Sequence, residues 1–257
     1  MIISGAGLSA ESGIKTFRDH DGLWENYDVM QVCSTQGWEV DRDLVTQFYN
    51  ARREDLKDKE PNPAHFALAD LEKKYKLYNL TQNVDNLLEK AGCQDVIHLH
   101  GTLTDLRCEE CGHVWNVEYD KQNEHDVCPA CESDYIRHNV VMFGEAAPMY
   151  QKIHEAIQAC DIFIAIGTSG QVIDIVPIAS EFTHSILINP KREEYVNSFT
   201  EEISALQTAS ACFGNHDKYI DEYFSHFIQK NAGEAMNELA EILDFLDNPL
   251  LRLQRGM

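Results

Sequence analysis

Short apolar runs alternate with segments of helical periodicity along most of the chain. Buried strands are predicted at residues 1–4 and in KLYNLTQ, DVIHLHG, ACDIFIAIGTSG and SILINP. Helices are predicted over the charged residues 21–60 and in PNPAHFALADLEKKY, VDNLLEKAG and NAGEAMNELAEILDFL. The third helix should end on Gly92, a typical helix terminator. Strands and helices in alternation predict an α/β fold around a parallel sheet.

An insertion interrupts this alternation between residues 104 and 137, where cysteines, acids and turn-forming residues replace the regular pattern. The strand pattern resumes only at NVVMFGE. We therefore expect a separate small module at this point of the chain.

Small residues follow two of the predicted strands, in GAGLSAESG and in GTSG. Gly5 and Gly7 would let backbone amides approach an anion, although a glycine-rich turn without a special role explains the first stretch equally well. An open α/β sheet binds its ligand at the carboxyl ends of its strands, where these loops lie.

The charge balance narrows the choice of partners. Forty-three acidic and 21 basic residues give a net charge of -22 over 257 residues, which repels nucleic acid and anionic membranes and favours at most cationic partners such as lysine-rich proteins. No apolar run reaches the roughly 20 residues of a membrane span, and the start MIISGAG lacks the regions of a secretory signal. We expect a cytoplasmic protein.

Four of the eight cysteines form two close pairs, CEEC and CPAC, with 16 residues between them. Two thiolate pairs at this spacing predict a tetrahedral zinc site that is structural, because it has no open coordination position. Unrelated free thiols and a zinc-ribbon nucleic-acid binder are alternatives, but the segment carries mostly acids where such a binder needs lysine and arginine. The predicted ligands are Cys108, Cys111, Cys128 and Cys131. The scattered cysteines, expected to be buried apolar residues, are Cys33, Cys93, Cys160 and Cys212.

The ordered motifs GAGLSAESGIKTFRD, TQNVDNLLEKAG, HLHG, the cysteine pairs, VVMFGE, GTSG and IN closely resemble the sirtuin family of NAD-dependent protein lysine deacylases, across about residues 2–189. The resemblance implies one catalytic domain in which NAD and an acylated lysine of a protein or peptide meet in a cleft. Its parts would be a Rossmann-like sheet (1–20, 62–103, 138–257), a helical insertion (21–61) and the zinc module (104–137). We expect a monomer with NAD and one structural zinc.

The resemblance assigns the catalytic base to His100, at the end of a predicted strand, and a second catalytic role to Asn83. Physical reasoning alone does not separate His100 from His98, since residues two apart on a strand face the same side. Gln82, Asn83, Val84 and Asp85 would contact NAD by resemblance, whereas helix capping explains the polar residues on spacing alone. Leu88 departs from the family, in which many members have histidine at this position.

Further residues are assigned to the ligands only by this resemblance. Those assigned to NAD are Gly5, Ala6, Gly7, Ala10, Glu11, Phe17, Arg18, Gly167, Thr168, Ser169, Asn189 and Ala232. Those assigned to a substrate peptide that adds to the VVMFGE strand are Val141, Phe143, Gly144 and Glu145.

The stretch QFYNARRED places Tyr49 and Arg52 three residues apart, on one face of a predicted helix. They could simply lie on the surface of a charged helix. They also resemble the Tyr-x-x-Arg pair that lines the acyl pocket of one sirtuin class, which would favour succinyl or malonyl groups and still permit acetyl. Arg53 points about 100 degrees away and is expected to face solvent.

Two other activities remain open at the level of sequence. NAD hydrolysis or ADP-ribosyl transfer would use the same cofactor pocket. A zinc-stapled binding module without catalysis is a third interpretation, which the intact His100 and Asn83 argue against.

Overall fold

The structure is a computed structural model that describes residues 1–15, 27–195 and 218–247. The strands in these residues are β1 (Ile2–Ser4), β2 (Asn79–Thr81), β3 (Val96–His98), β4 (Gly101–Cys108), β5 (Val114–Asn116), β6 (Ile136–Val140), β7 (Ile162–Ile166), β8 (His184–Ile188) and β9 (His226–Ile228). The helices are α1 (Val29–Val32), α2 (Thr35–Val40), α3 (Arg42–Lys57), α4 (Pro63–Lys74), α5 (Leu87–Ala91), α6 (Gln151–Ala159), α7 (Ile175–Ser180) and α8 (Ala232–Asp247). Within these residues, no helix has both the length and the apolar character that a membrane crossing requires.

Six strands form a parallel sheet in the order β3-β2-β1-β7-β8-β9. The chain begins in the middle of the sheet, builds outward to β3, and then returns to build outward in the other direction from β7. The order therefore reverses between β1 and β7, and this reversal opens a crevice at the carboxyl ends of the two strands.

Both faces of this sheet are covered, which explains why its central strand β7 is an apolar run without polar alternation. Ile2 faces α4 and α8, whereas its neighbour Ile3 faces the opposite side, where α6 and α7 pack. Leu68 of α4 and Leu239 of α8 are fully buried on the first side. The alternating direction of strand side chains thus divides the core into two layers.

A second, antiparallel sheet has the order β5-β4-β6 and carries the cysteine pairs. Helices α1 to α3 pack against it through an apolar cluster that includes Phe48, Leu103 and Met142. The predicted α/β fold, with a Rossmann-like parallel sheet, a small module and a helical insertion, is confirmed.

Local sequence signals account for several helix boundaries. The Asn62 side chain accepts a hydrogen bond at the start of α4, Pro63 fills the first helical position, and the third helical residue, His65, completes a capping box. Gly92 ends α5 with a φ of 105°, a left-handed conformation that favours glycine. The predicted helix over 21–60 is instead three helices from Val29 onward, because Ser34 and Asp41 start new helices.

Two expected strands end earlier than predicted. Strand β6 stops at Val140, so most of VVMFGE is not a strand. The chain turns here because Met142 N–H donates to the Glu145 carboxylate over 2.6 Å and Gly144 adopts a φ of 93°. Strand β3 stops at His98, which places His100 in the turn that follows.

Candidate active site

The floor of the crevice is a close approach between two loops, one after β1 and one after β7. Gly5 N–H donates to the Ile166 carbonyl and Gly7 N–H donates to the Gly167 carbonyl, each over 2.9 Å. A Cβ on Gly7 would lie 2.6 Å from the Gly167 Cα, and one on Gly5 would lie 2.8 Å from the Gly167 carbonyl oxygen. Only glycine fits at positions 5 and 7, so the floor of the crevice is formed there by backbone and not by side chains. Ala6 and Ala10 lie in the two short 3-10 turns that follow β1.

Thr168 joins the loops that follow three strands of the parallel sheet. Its hydroxyl accepts a hydrogen bond from the Gln82 side-chain amide over 3.0 Å, and its carbonyl accepts one from the Asn189 amide over 2.8 Å. Gln82 follows β2, Thr168 follows β7 with Ser169 next to it, and Asn189 follows β8. Residues far apart in sequence thus meet at one edge of the sheet.

A buried polar network lies beside this floor. The Ser9 hydroxyl donates to the Asp85 carboxylate over 2.9 Å and accepts a hydrogen bond from the Asn83 amide over 3.1 Å. Burial raises the pKa of Asp85, although hydrogen bonds from Leu87 N–H and from Ser9 act in the opposite direction. The loop after β1 and the loop after β2 are therefore held together by one hydroxyl.

His65 extends the network, and sequence reasoning missed both His65 and Ser9. Its Nδ1 accepts a hydrogen bond from Asn62 N–H over 3.2 Å, so in the neutral ring Nε2 carries the proton, 3.4 Å from the Ser9 hydroxyl oxygen. Burial lowers the pKa of His65 to about 4. The Asn-x-x-His spacing at the start of α4 is the signal that could have indicated it.

The two candidate histidines have different surroundings. Both ring nitrogens of His98 are engaged, Nδ1 with the Asn83 carbonyl at 3.0 Å and Nε2 with the Glu89 carboxylate at 2.7 Å. Burial opposes protonation of His98, but the hydrogen bond and charge of Glu89 outweigh it and raise the pKa. His98 is therefore tied to α5.

His100 has no carboxylate partner among the described residues. Its Nδ1 lies 3.0 Å from the Gln82 carbonyl and its Nε2 lies 2.8 Å from the Tyr150 hydroxyl. Burial lowers its pKa, and the Gln82 carbonyl opposes this only in part. The structure thus distinguishes the pair: His100 favours the neutral form that a base requires, whereas His98 favours the charged form.

The remaining expected NAD contacts surround the same strand ends. The Glu11 carboxylate accepts a hydrogen bond from Gly233 N–H over 2.7 Å, which joins the loop after β1 to the first turn of α8. Ala232 is the first residue of α8 and is buried. The Val84 carbonyl accepts Leu103 N–H over 2.8 Å. Phe17 and Arg18 lie outside the described residues, as does Cys212.

Tyr49 is buried on the inner face of α3, which disfavours the surface-helix interpretation for this residue. It is 4% exposed, and its ring stacks on His138 with centroids 5.4 Å apart. Burial is the main cause that raises its pKa, and its hydroxyl also bonds the Cys33 thiol.

Arg52 lies one turn further along α3 and is partly buried. Its guanidinium donates to the Phe48 carbonyl over 2.7 Å and lies 3.1 Å from the centroid of the Phe48 ring. Burial lowers its pKa to about 10, although the Cys33 and Tyr49 side chains act in the opposite direction. An arginine on a solvated helix face would not show this cost.

The expectation that Arg53 faces solvent is wrong. Its side chain is fully buried and donates to the carbonyls of Leu103 at 2.5 Å, Asp120 at 2.8 Å and Asp105 at 3.1 Å. The 100-degree offset from Arg52 is real, but that side of α3 packs on β4 and not on solvent. Arg53 therefore fastens the helical insertion to the zinc module.

Backbone hydrogen bonds to other parts of the chain fix the segment that follows β6. Phe143 N–H donates to the Cys33 carbonyl over 2.8 Å, and the Phe143 carbonyl accepts Thr35 N–H over 3.0 Å. Val141 N–H donates to the His100 carbonyl over 2.9 Å. The Phe143 side chain is 43% exposed, so this segment presents an apolar side chain at the surface.

The Glu145 carboxylate is engaged in hydrogen bonds within the protein. Its carboxylate accepts hydrogen bonds from Arg137 at 2.6 Å and Arg107 at 3.1 Å, in addition to Met142 N–H. The side chain therefore stabilises the turn around Gly144.

The four paired cysteines meet at one end of the second sheet. Their sulfur atoms all lie within 4.8 Å of one another, with 3.6 Å between the sulfurs of Cys108 and Cys131 and 3.7 Å between those of Cys111 and Cys128. Four thiolates at the usual Zn–S distance lie about 3.8 Å apart in a tetrahedron. The donor set thus fits one structural zinc ion. Cys33 and Cys93 are buried, as expected of isolated cysteines, whereas Cys160 is half-buried.

The sequence model of the Sir2 family matches residues 5–174, which include the loop after β1 and the whole of strands β2 to β7. The chain belongs to the Sir2 family. Two sirtuin relatives carry the name NAD-dependent protein deacylase. One, from Campylobacter jejuni, is 51% identical over 189 residues, 73% of this chain and 81% of the relative. The other, from Pasteurella multocida, is 39% identical over 237 residues, 89% of this chain and 97% of the relative.

Solved sirtuin structures agree with this assignment. A Sir2 homologue in complex with NAD is 31% identical with a TM-score of 0.76, over 95% of this chain and 88% of that chain. A mutant Sir2 homologue in complex with ADP-ribose is 32% identical with a TM-score of 0.76, over 94% of this chain and 90% of that chain.

Proposed function

We propose that this sirtuin is an NAD-dependent protein lysine deacylase whose active site is the crevice between the parallel sheet and the zinc module. The observation that carries the proposal is the convergence of the glycine floor, the Asn83 network and His100 at the carboxyl ends of β1, β2, β3 and β7. The names of the two relatives and the NAD complex of the structural neighbour support it.

The glycine floor fits the pyrophosphate of NAD. A phosphate needs close approach of the backbone, and Gly5, Gly7 and Gly167 form a surface without side chains, since a Cβ on any of them would clash with the facing loop. Thr168 and Asn189 would hold the adenosine half, and Gln82, Asn83 and Asp85 the nicotinamide half. When bound, NAD supplies a ribose carbon that accepts the acyl oxygen as nicotinamide leaves.

His100 is the residue suited to take a proton from a ribose hydroxyl. Burial lowers its pKa, so the ring is neutral at pH 7. The Gln82 carbonyl next to Nδ1 favours the tautomer with the proton on that nitrogen, which leaves the Nε2 lone pair to accept one.

We further propose that Tyr49 and Arg52 recognise a dicarboxylic acyl group, succinyl or malonyl, while acetyl is also accepted. Both lie on the face of α3 that packs towards Cys33. The Cys33 carbonyl accepts a hydrogen bond from Phe143 N–H, and Val141 in the same segment is hydrogen-bonded to the His100 carbonyl. A partly buried guanidinium with a lowered pKa gains more from a carboxylate than an exposed one does, because both ions then share a site with little water.

The test is Arg52→Met, assayed with acetyl-lysine and succinyl-lysine versions of one peptide. Loss of a charge-assisted pair should reduce kcat/KM on the succinyl peptide by about tenfold or more and leave the acetyl peptide within about threefold. Lys57→Met on the exposed end of the same helix is the matched control. Equal losses of kcat/KM on both peptides would show that Arg52 does not recognise the acyl group. Release of nicotinamide without any peptide would favour NAD hydrolysis as the activity.

A further inference from the structure

The side chain opposite His100 Nε2 belongs to Tyr150, which neither the motifs nor the roles proposed above include. Its hydroxyl oxygen lies 2.8 Å from Nε2. Tyr150 ends the short 3-10 turn Pro148–Tyr150 directly before α6, and it is half-buried. The two rings are tilted by 44° with centroids 5.8 Å apart, so the contact is made through the hydrogen bond and not through stacking.

The partners of His100 determine which atom donates. The Gln82 carbonyl at Nδ1 can only accept, so the single proton of the neutral ring lies on Nδ1. Nε2 then has only a lone pair, and the Tyr150 hydroxyl must be the donor. The hydroxyl therefore occupies the lone pair that a base would use.

Other titratable groups near His100 do not change this assignment. Among the described residues, no charged side chain is a cause of the shift in its pKa, which burial lowers and the Gln82 carbonyl raises in part. His98, two residues earlier, has its ring nitrogens engaged by Asn83 and Glu89. Tyr150 is thus the titratable side chain in direct contact with the His100 ring.

We propose that Tyr150 is a positioning residue that caps the base of the resting enzyme: its hydroxyl holds the His100 ring by a hydrogen bond to Nε2 and is replaced there by the ribose hydroxyl of the substrate. The inference rests on the proposed role of His100. Tyr150 keeps its own proton throughout, and the proton that reaches Nε2 comes from the ribose. Substrate must therefore displace one hydrogen-bond donor before the base can act.

The test is Tyr150→Phe, which keeps the ring and removes only the hydroxyl. An O–H donor stabilises neutral imidazole, so its removal should raise the pKa of His100 by about 0.5 to 1 unit, measured by NMR titration of the protein without NAD. The acid limb of the pH profile of kcat/KM for NAD should move upward equally. At pH values above that limb, kcat/KM should rise about twofold to fivefold, because the substrate no longer has to displace the Tyr150 hydroxyl from the Nε2 lone pair of His100.

Tyr75→Phe is the matched control, since Tyr75 is a half-buried tyrosine at the end of α4, and it should leave the His100 titration and the pH profile unchanged. An unchanged His100 pKa in Tyr150→Phe would overturn the capping role, and so would a loss of more than about tenfold at every pH, which would make the hydroxyl a required proton carrier. His100→Ala separates the two proposals: full deacylation by that variant refutes the proposed base, whereas the NMR titration tests the cap without any turnover.

Discussion

Ser9 shows how one buried hydroxyl determines the arrangement of the site. It accepts a hydrogen bond from Asn83, donates to Asp85 and lies 3.4 Å from His65. Removing any member of such a network leaves a buried polar atom without its partner. The position of Asn83 thus depends on residues that need not touch a ligand.

His65 makes this network sensitive to pH. The unfolded chain binds a proton at the ordinary histidine pKa of 6.5, whereas the folded protein binds one only near 4. A histidine with a lowered folded pKa contributes stability that is lost as pH falls from 6.5 towards 4. Between pH 7.5 and pH 5 the wild type should lose about 2 kcal/mol of unfolding free energy through this residue.

Urea unfolding of His65→Gln at the two pH values checks this expectation, because glutamine keeps the acceptor of the capping box and does not titrate. The variant should lose about 2 kcal/mol less than the wild type over that interval. His154→Gln removes an exposed histidine of α6 and should behave like the wild type. The same pH dependence in His65→Gln and in the wild type would contradict the assignment.

For individual residues, the sequence predicted which side chains belong to the site better than it predicted what those side chains contact. HLHG contained the two histidines, but only the fold shows that Glu89 holds His98 and that Tyr150 faces His100. Arg53 was wrongly expected in solvent because helical periodicity gives a direction relative to Arg52 and not the identity of what packs there. Contacts between distant parts of the chain carry no local signal.

At the level of elements, α3 is the helix that packs on strands β4 and β6 of the second sheet. Tyr49 and Arg52 lie on one side of the helix, and Arg53 fastens another side to backbone carbonyls around β4. A buried guanidinium with three carbonyl acceptors fixes the position of the helix against the second sheet. The position of Tyr49 and Arg52 therefore depends on the packing of α3 against the second sheet.

Arg53→Met should destabilise the protein by about 2 to 4 kcal/mol, because three backbone carbonyls, one of them fully buried, lose their donor. Denaturant unfolding measures this cost, with Lys57→Met as the control from the exposed side of α3. A change below about 0.5 kcal/mol would mean that water or another donor replaces the guanidinium.

Cys131→Ser should remove the metal, since serine is a poor zinc ligand and three thiolates leave the tetrahedron incomplete. We expect the zinc content to fall from one ion per chain to near zero and the Tm to decrease, whereas Cys160→Ser should retain both values. Metal analysis and thermal unfolding give the readout. Full zinc content in Cys131→Ser would exclude this residue as a ligand.

The boundaries of elements were predictable where local chemistry determines them. Asn62 and Pro63 start α4, and Gly92 ends α5. VVMFGE was expected to be a strand throughout because its first residues are apolar and β-branched, but hydrogen bonds from Arg137 and Met142 to Glu145 turn the chain after Val140. Such tertiary pairing overrides the local preference.

For the whole molecule, the alternation of apolar runs predicted the fold class, and the order of motifs predicted the family. The reversal of strand order between β1 and β7 could not be derived from the pattern, since any parallel α/β sheet has the same alternation. That reversal brings the glycine loops, Asn83 and His100 to one edge. We propose that this edge of the sheet uses NAD to remove acyl groups from lysine.

The most direct test is a single assay of nicotinamide release and peptide mass with NAD and acetyl-lysine, succinyl-lysine or unmodified versions of one peptide. We expect nicotinamide to be released in step with loss of the acyl group from both acylated peptides, and the unmodified peptide to give neither product. Nicotinamide released equally with all three peptides, or no mass change in either acylated peptide, would contradict it.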